Sequence, residues 1–372
     1  MRAGPLFAQL AEDLRRQIST GTLPVGGYVP SVRRLQEIHG VSKNTVLAAL
    51  KVLQEENIIA REGASRQGFR VVGVPDVAQP RDIRGAGAFV KFLLPFSYWN
   101  FAGNRLLSAI EAELGSREIG ILIGNHRNDV AVENSLLRRL IEHQGETVDA
   151  LIVMTASSYR NENAPLVRQI AAQVPVFLLD RRLSGFDGHT VSLNNRKLGR
   201  MVADRFLEGG RKRMGFVTGF WNASSTRDRF IGFRETLEEA GVSIASEDVI
   251  CLPNAYGQAQ TLDYAISEIE KQLHRWSNSP DAVLCGSDKS AAALFSFCRK
   301  RGIDVPDDVS IIGCDADEIV APLVGTKIAS FAYPFESIAE ELTRLFVEHP
   351  TTTPDFWRTI ELDPIFVPGE TA

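Results

Sequence analysis

Apolar positions along this chain follow three rhythms. Up to about residue 55 they recur every three to four residues. Leu6, Leu10, Leu14 and Ile18 mark one face of a helix over about 5–20. Val46, Ala49, Leu50 and Leu53 fall at i, i+3, i+4 and i+7 of another. Residues 74–88, VPDVAQPRDIRGAGA, hold two prolines, two glycines and mixed charge with no period, and read as an interdomain linker. From 89 onward the apolar residues come in short unbroken runs separated by helical patterns. The expected domains are therefore 1–73, a linker over 74–88, and a body over 89–372.

The first segment is organised around PSVRRLQEIHGVSKNTVLAALKVL, residues 30–53. Ser31 is a good N-cap for a helix running to about His39, and Gly40 supplies the left-handed residue of a sharp exit. Ser42 then caps a second helix reaching about Glu55. Lys43, Asn44, Leu47 and Lys51 lie opposite its apolar stripe. Strand candidates at 58–61 and 69–72 flank EGASRQG, which reads as a hairpin wing. Three helices and a wing make a winged helix-turn-helix, whose second turn-helix can read a major groove. Arg66 in the wing could reach a phosphate or the minor groove, or simply be a solvated loop charge.

In the body, strands are expected at 89–94, 119–124, 150–154, 174–180, 214–219, 282–285 and 309–315. Continuous apolar strands alternating with helices mean parallel sheets covered on both faces, an α/β architecture. Seven units with a change of composition near 182–196 suggest two sheets. Ligands in such sheets bind outside the carboxyl ends of the strands, so a cleft between two lobes would gather those loops.

Charge sharpens the division. Residues 1–75 hold ten Lys and Arg against six Asp and Glu, net +4, and the remainder holds 31 against 40, net −9. A basic head on an acidic body places nucleic-acid contact in the head. With 372 residues, 44% hydrophobic and 23% charged, the chain has a globular composition and no apolar run that would span a membrane. Its N-terminus has no signal-peptide pattern, so a cytoplasmic protein is expected. Cys251, Cys285, Cys298 and Cys314 show no metal-ligand spacing and read as small core residues. No metal or cofactor is expected. No GxSxG, HExxH, P-loop or GxGxxG pattern occurs in strand-helix context, so the chain does not read as an enzyme.

The spacing PLFAQLAEDLRRQI…GTLPVGGYVPSVRRLQEIHGVSKNTVLAALKVLQEENII…GF, over residues 4–72, resembles the GntR family of bacterial transcription regulators. The resemblance implies that Arg33, Lys43, Asn44 and Thr45 contact DNA, with Gly63 as the wing glycine. Two departures stand out: Leu47 occupies a position that is Arg in many members, and the wing lacks their run of glycines.

The body carries VDALIV, VPVFLLDRR, VSLNNRKLGRMVADRFLEGGRKRMGFVTG, SSTRDRFIGFRETLEEAGV, AVLCGSDKSAAALFSFCRKRGIDVPDDVSIIGCD and IASFAYP, in that order. These resemble the effector domain of the LacI/GalR regulators and the type I periplasmic sugar-binding fold. Joined to a GntR-type head, they resemble the arabinose-responsive repressors of that mixed type. That resemblance implies lobes of about 89–182 with 316–346, and 183–315 with 347–372. It also implies hydroxyl-gripping roles for Asp180, Arg181, Arg229 and Asp288, since carboxylates accept and guanidinium groups donate paired hydrogen bonds. Asp180 and Arg181 could instead form a hinge salt bridge, and Asp288 could cap a helix. Ser287 replaces the Asn usual before Asp288. Tyr98, Trp99, Phe101, Phe220 and Trp221 follow strands, so Trp99 and Trp221 are candidate platforms for a sugar ring. Asp315 and Asp317 read as turn residues.

The expectation is a DNA-binding transcription regulator, a repressor acting as a homodimer on double-stranded operator DNA. A sugar or sugar derivative would modulate it. The alternative is a sugar-binding protein without DNA-linked regulation.

Overall fold

The computed structural model describes residues 6–19, 22–55, 58–61, 68–72, 88–95, 101–142, 148–159, 161–252, 262–273, 279–348 and 357–372. Two compact units divide it, Met1–Asp82 and Ile83–Ala372. Most of the expected linker lies outside the described residues.

The head holds α1 (Leu6–Ser19), α2 (Val32–His39) and α3 (Lys43–Glu55), followed by the antiparallel pair β1 (Ile59–Arg61) and β2 (Phe69–Val71). The capping reads as expected. Ser31 Oγ accepts from Arg34 N, and Gly40 closes α2 in the left-handed conformation with φ 63°. Val46, Ala49, Leu50 and Leu53 are all buried against Leu10, Ala11, Leu14 and Ile18 of α1. Leu6 departs from the expected apolar face: it is exposed, and Ala11 takes a core position instead. A four-residue spacing drifts about 40° per step, so the face that buries Leu10, Leu14 and Ile18 leaves Leu6, three steps from Ile18, off its buried side.

The body begins with β3 (Phe89–Leu94), α4 (Phe101–Gly115), β4 (Gly120–Asn125), α5 (Val130–Glu142), β5 (Ala150–Val153), α6 (Ala164–Ala171), β6 (Val176–Leu179) and β7 (His189–Leu193). It continues with α7 (Asn195–Glu208), β8 (Met214–Thr218), α8 (Ser224–Glu239), β9 (Val249–Cys251), α9 (Leu262–Leu273), β10 (Ala282–Cys285), α10 (Asp288–Arg301) and β11 (Ser310–Ile312). It closes with α11 (Val320–Val324), β12 (Ser330–Ala332), α12 (Phe335–Glu348), β13 (Thr359–Leu362) and β14 (Ile365–Val367). One parallel sheet runs β13-β7-β6-β5-β3-β4 and a second runs β11-β10-β8-β9, while β12 pairs antiparallel with β14.

Both sheets are covered on two faces. In β3, Val90, Phe92 and Leu94 join the core under α4 and α12, while Leu93 joins that under α5 and α6. The second sheet is covered by α7 and α8 on one face and by α9 and α10 on the other.

The lobe boundaries differ from those expected. β7 pairs with β6, so residues up to 193 belong to the first sheet, beyond the expected boundary at 182. Residues 320–332 pack with the second lobe, and β13 returns to the edge of the first sheet. The chain thus crosses between lobes three times, near 194, 333 and 363. β7 and β13 carry polar residues at alternate positions, so neither shows an unbroken apolar run. Cys285, Cys298 and Cys314 are buried, but Cys251 is exposed at the edge of its sheet.

The closest helix crossing in the second lobe joins α7 and α8. A Cβ on Gly199 would sit 2.0 Å from Arg229 O, and one on Gly232 would sit 2.0 Å from Arg196 O. Backbone meets backbone, so neither clash can be relieved by a side-chain rotation. Gly199→Ala or Gly232→Ala should therefore lower stability by about 2–3 kcal/mol or more. Urea denaturation of the full chain measures this; unchanged midpoints would contradict the tight crossing.

Candidate functional site

In the head, α3 offers an exposed strip of Lys43, Asn44, Leu47 and Lys51. Ser42 organises its first turn: Ser42 Oγ accepts from Thr45 N at 3.2 Å and lies 2.8 Å from Thr45 Oγ1. The Thr45 hydroxyl is thus already engaged by the cap. Arg33 projects from α2 with its side chain 91% exposed, its Nε 3.2 Å from Glu37 Oε1. An exposed pair of this kind is worth under about 1 kcal/mol, so a phosphate or a guanine can displace it. Gly63 and Arg66 lie outside the described residues.

In the body, the candidate residues gather where the two lobes meet. β6 ends at Leu179, and Asp180 follows in a left-handed backbone conformation, φ 62°. Such a conformation is costly for a residue with a side chain and is concentrated at functional turns. Arg181 Nη1 donates to Asn128 Oδ1 at 2.5 Å and to Thr155 O at 2.9 Å, and Arg181 Nε lies 3.9 Å from Asp180 Oδ2. That Nε is buried without a hydrogen-bond partner among the described residues.

From the second lobe, Arg229 of α8 is 2% exposed. It donates twice to Asn195 Oδ1, at 2.8 and 3.2 Å, to Gly286 O at 2.8 Å, and to Tyr333 Oη at 3.3 Å. Burial works against its charge, but Cys314, Tyr333, Asp315 and Asp180 outweigh it and keep the guanidinium protonated. Tyr333 Oη in turn donates to Asp180 Oδ1 at 3.4 Å. One hinge hydroxyl therefore stands between an acceptor on the first lobe and a donor on the second. Both contacts are long for hydrogen bonds.

Asp288 has a different employment. Its carboxylate accepts from Asp317 N and from Ser330 Oγ, both at 2.6 Å, and Ser287 Oγ caps α10 by accepting from Ser290 N. Burial pushes the Asp288 carboxyl well above the ordinary range. It ties α10 to the segment after β11 and to β12. Trp221 packs into its own lobe, its ring centroid 5.4 Å from Phe230 and 6.2 Å from Phe216, and it remains half-buried. Trp99 lies outside the described residues.

The lobes also touch at the cleft mouth. Ser158 N donates to Asn222 O at 3.0 Å, Ser224 N to Ser158 Oγ at 2.9 Å, and Arg182 N to Ser224 Oγ at 2.9 Å. Arg182 Nη2 lies 2.6 Å from Asp228 Oδ2, and the Arg227 guanidinium sits 3.9 Å above the Tyr159 ring. These contacts bridge the two lobes. Sequence reasoning missed Asn128, Thr155, Asn195 and Tyr333. Two of them carried a signal: Tyr333 is the tyrosine of IASFAYP, and Asn195 is the second asparagine of VSLNNRKLGRM.

Asp315 follows β11 in the left-handed region, φ 103°. Burial pushes its carboxyl up to about 7, against the pull of Arg229 and with the help of Asp317 and Asp180. A folded value above the ordinary 3.8 means that the folded state holds the proton more tightly. Its stabilisation is therefore full below the ordinary value and is lost as pH rises towards about 7. Asparagine tolerates the left-handed turn and does not titrate. Asp315→Asn should gain stability relative to the parent chain as pH rises from 4.5 to 8. Urea denaturation across that range checks it, and a pH-independent difference would refute it.

The chain resembles known proteins in both its parts. Residues 6–71 match the bacterial regulatory proteins of the gntR family, and residues 203–372 match a periplasmic binding protein-like domain. The HTH-type transcriptional regulator GalR of Escherichia coli is 28% identical over 227 residues, 60% of this chain and 62% of that protein. The arabinose metabolism transcriptional repressor of Geobacillus stearothermophilus is 20% identical over 92% of this chain and 91% of its own length. The fold matches that of the transcriptional regulator CelR–cellobiose complex with a TM-score of 0.66, at 19% identity over 92% of this chain and all of that one. The chain thus joins a gntR-family DNA-binding domain to a periplasmic binding protein-like domain, and its relatives are transcriptional regulators of the LacI/GalR type.

Proposed function

We propose that the protein is a cytoplasmic repressor without enzymatic activity. As a homodimer it binds a two-fold related operator through its winged helices, and a sugar or other polyol bound in the cleft alters that binding. The observation that carries the ligand reading is the Tyr333 hydroxyl, held at 3.3 Å from Arg229 and 3.4 Å from Asp180. A carboxylate and a guanidinium on opposite lobes, separated by one hydroxyl, form an environment that a ligand hydroxyl can share or replace. Arg181, with a buried N–H lacking an acceptor among the described residues, adds a donor on the first-lobe side. Asp180, Arg181 and Arg229 are the proposed ligand contacts, and Trp221 offers its remaining exposed edge. Asp288 is assigned a positioning role, since its two oxygens already hold the segment after β11 and the start of β12. In the head, Arg33, Lys43 and Asn44 are the proposed DNA contacts, with Thr45 shaping the helix start. A sugar binder without DNA-linked regulation is the remaining alternative, and retardation of no duplex would favour it.

Thermal-shift screening against a panel of mono- and disaccharides identifies the ligand, because binding to the folded state alone raises the melting temperature. Arg229→Ala or Asp180→Ala should then weaken ligand binding about ten- to a hundredfold, with operator binding retained. Asp288→Asn should lower the melting temperature instead. Ligand affinities unchanged in both cleft variants would remove the proposed site.

Arg33→Ala and Lys43→Ala should each weaken operator binding by about 1–3 kcal/mol and leave ligand affinity unchanged. Operator and ligand must also change each other's affinity by one common factor. Calorimetric titration of ligand with and without operator duplex reads that factor, and equal affinities would mean that the cleft does not control the head.

A further inference from the structure

α3 places its apolar residues with economy. Val46, Ala49, Leu50 and Leu53 are 0–1% exposed and complete the head's core. Leu47 lies outside that stripe and is 41% exposed. It sits one turn beyond Lys43, three residues beyond Asn44 and one turn before Lys51, all on the exposed face. At 1.5 Å rise per residue, each lysine starts about 6 Å along the axis from it. An isobutyl group is thus held at the middle of a cationic strip.

We propose that Leu47 determines operator specificity by reading the 5-methyl group of thymine in the major groove. The inference rests on the reading of α3 as the DNA-facing helix. Leucine can neither donate nor accept a hydrogen bond, so it cannot grip a phosphate or a polar base edge. Thymine's methyl is the apolar group that a base pair presents in the major groove. Cytosine or a purine at the same place would lose water from polar edges without gaining a partner. Lys43 and Lys51 attract the phosphates on either side and press the helix close enough to exclude water from Leu47. Where an arginine would add a polar contact, this chain substitutes a methyl-sensing one.

Burying one methyl group corresponds to about fourfold in affinity. The test uses a duplex selected from random-sequence DNA by the full chain. Its thymines are replaced one at a time by deoxyuridine, which removes only the methyl, and binding is followed by fluorescence anisotropy. One thymine in each half-site should cost the parent chain about three- to sixfold when replaced. Leu47→Ala should bind the thymine and uracil duplexes equally. Leu47 is exposed, so the variant should fold, and circular dichroism confirms it. If no replacement distinguishes the parent chain from Leu47→Ala, or if the variant loses the same factor on both duplexes, the proposal is overturned. If the selection enriches no duplex, or if Arg33→Ala and Lys43→Ala bind the selected duplex as the parent does, the DNA-facing reading of α3 fails and Leu47 falls with it.

Discussion

Taking the Arg229 guanidinium out of water is the constraint around which the body is built. Burying a charge costs several kcal/mol unless hydrogen bonds and opposite charge compensate it. Here the compensation comes from two segments of the second lobe and from the hinge: Asn195 at the start of α7, Gly286 after β10, and Tyr333 between β12 and α12. Asp180 supplies negative charge nearby. Each partner sits on a different segment, so the side chain can be satisfied only when α7, α8, β10 and the hinge have all assembled. The backbone contact of α7 with α8 at Gly199 and Gly232 is part of the same requirement, because it brings Asn195 within reach of Arg229.

The contacts across the cleft are of another strength. Tyr333 meets Arg229 and Asp180 at the long end of hydrogen-bonding distance, and Arg182 of the mouth ion pair is 56% exposed at its side chain. Exposed pairs contribute about 1 kcal/mol or less. The interior of each lobe is held by close-packed cores, while the junction between them is held by a few replaceable polar contacts. A cleft of that construction can change state at low cost without either lobe unfolding, which is what population shift by a ligand requires.

The head solves a smaller problem by local means. Its helix ends are closed by Ser31, Gly40 and Ser42, all within four residues of the groups they satisfy. The apolar stripe of α3 is used up by the core, which leaves its polar strip and Leu47 for the outside.

These contrasts explain what could be read from the chain alone. Caps, apolar periods and unbroken strand runs are local, so the sequence by itself determined the three helices, the β-pair, seven of the body's strands and the two-sheet architecture. Polar-patterned β7 and β13 escaped it, because neither carries an unbroken apolar run: β7 is buried by its neighbours despite its polar residues, and β13 is an edge strand that stays partly exposed. Candidate residues could be named by motif, but their duties could not. Asp288 and Arg229 look alike in sequence, each a charged residue on a helix that follows a strand. Only the tertiary structure gave Asp288 to the segment after β11 and brought Arg229 to Asp180 through Tyr333, since those partners lie 29 to 153 residues apart. Hydrogen bonding at such separations depends on which segments the fold brings together, and no local pattern records that.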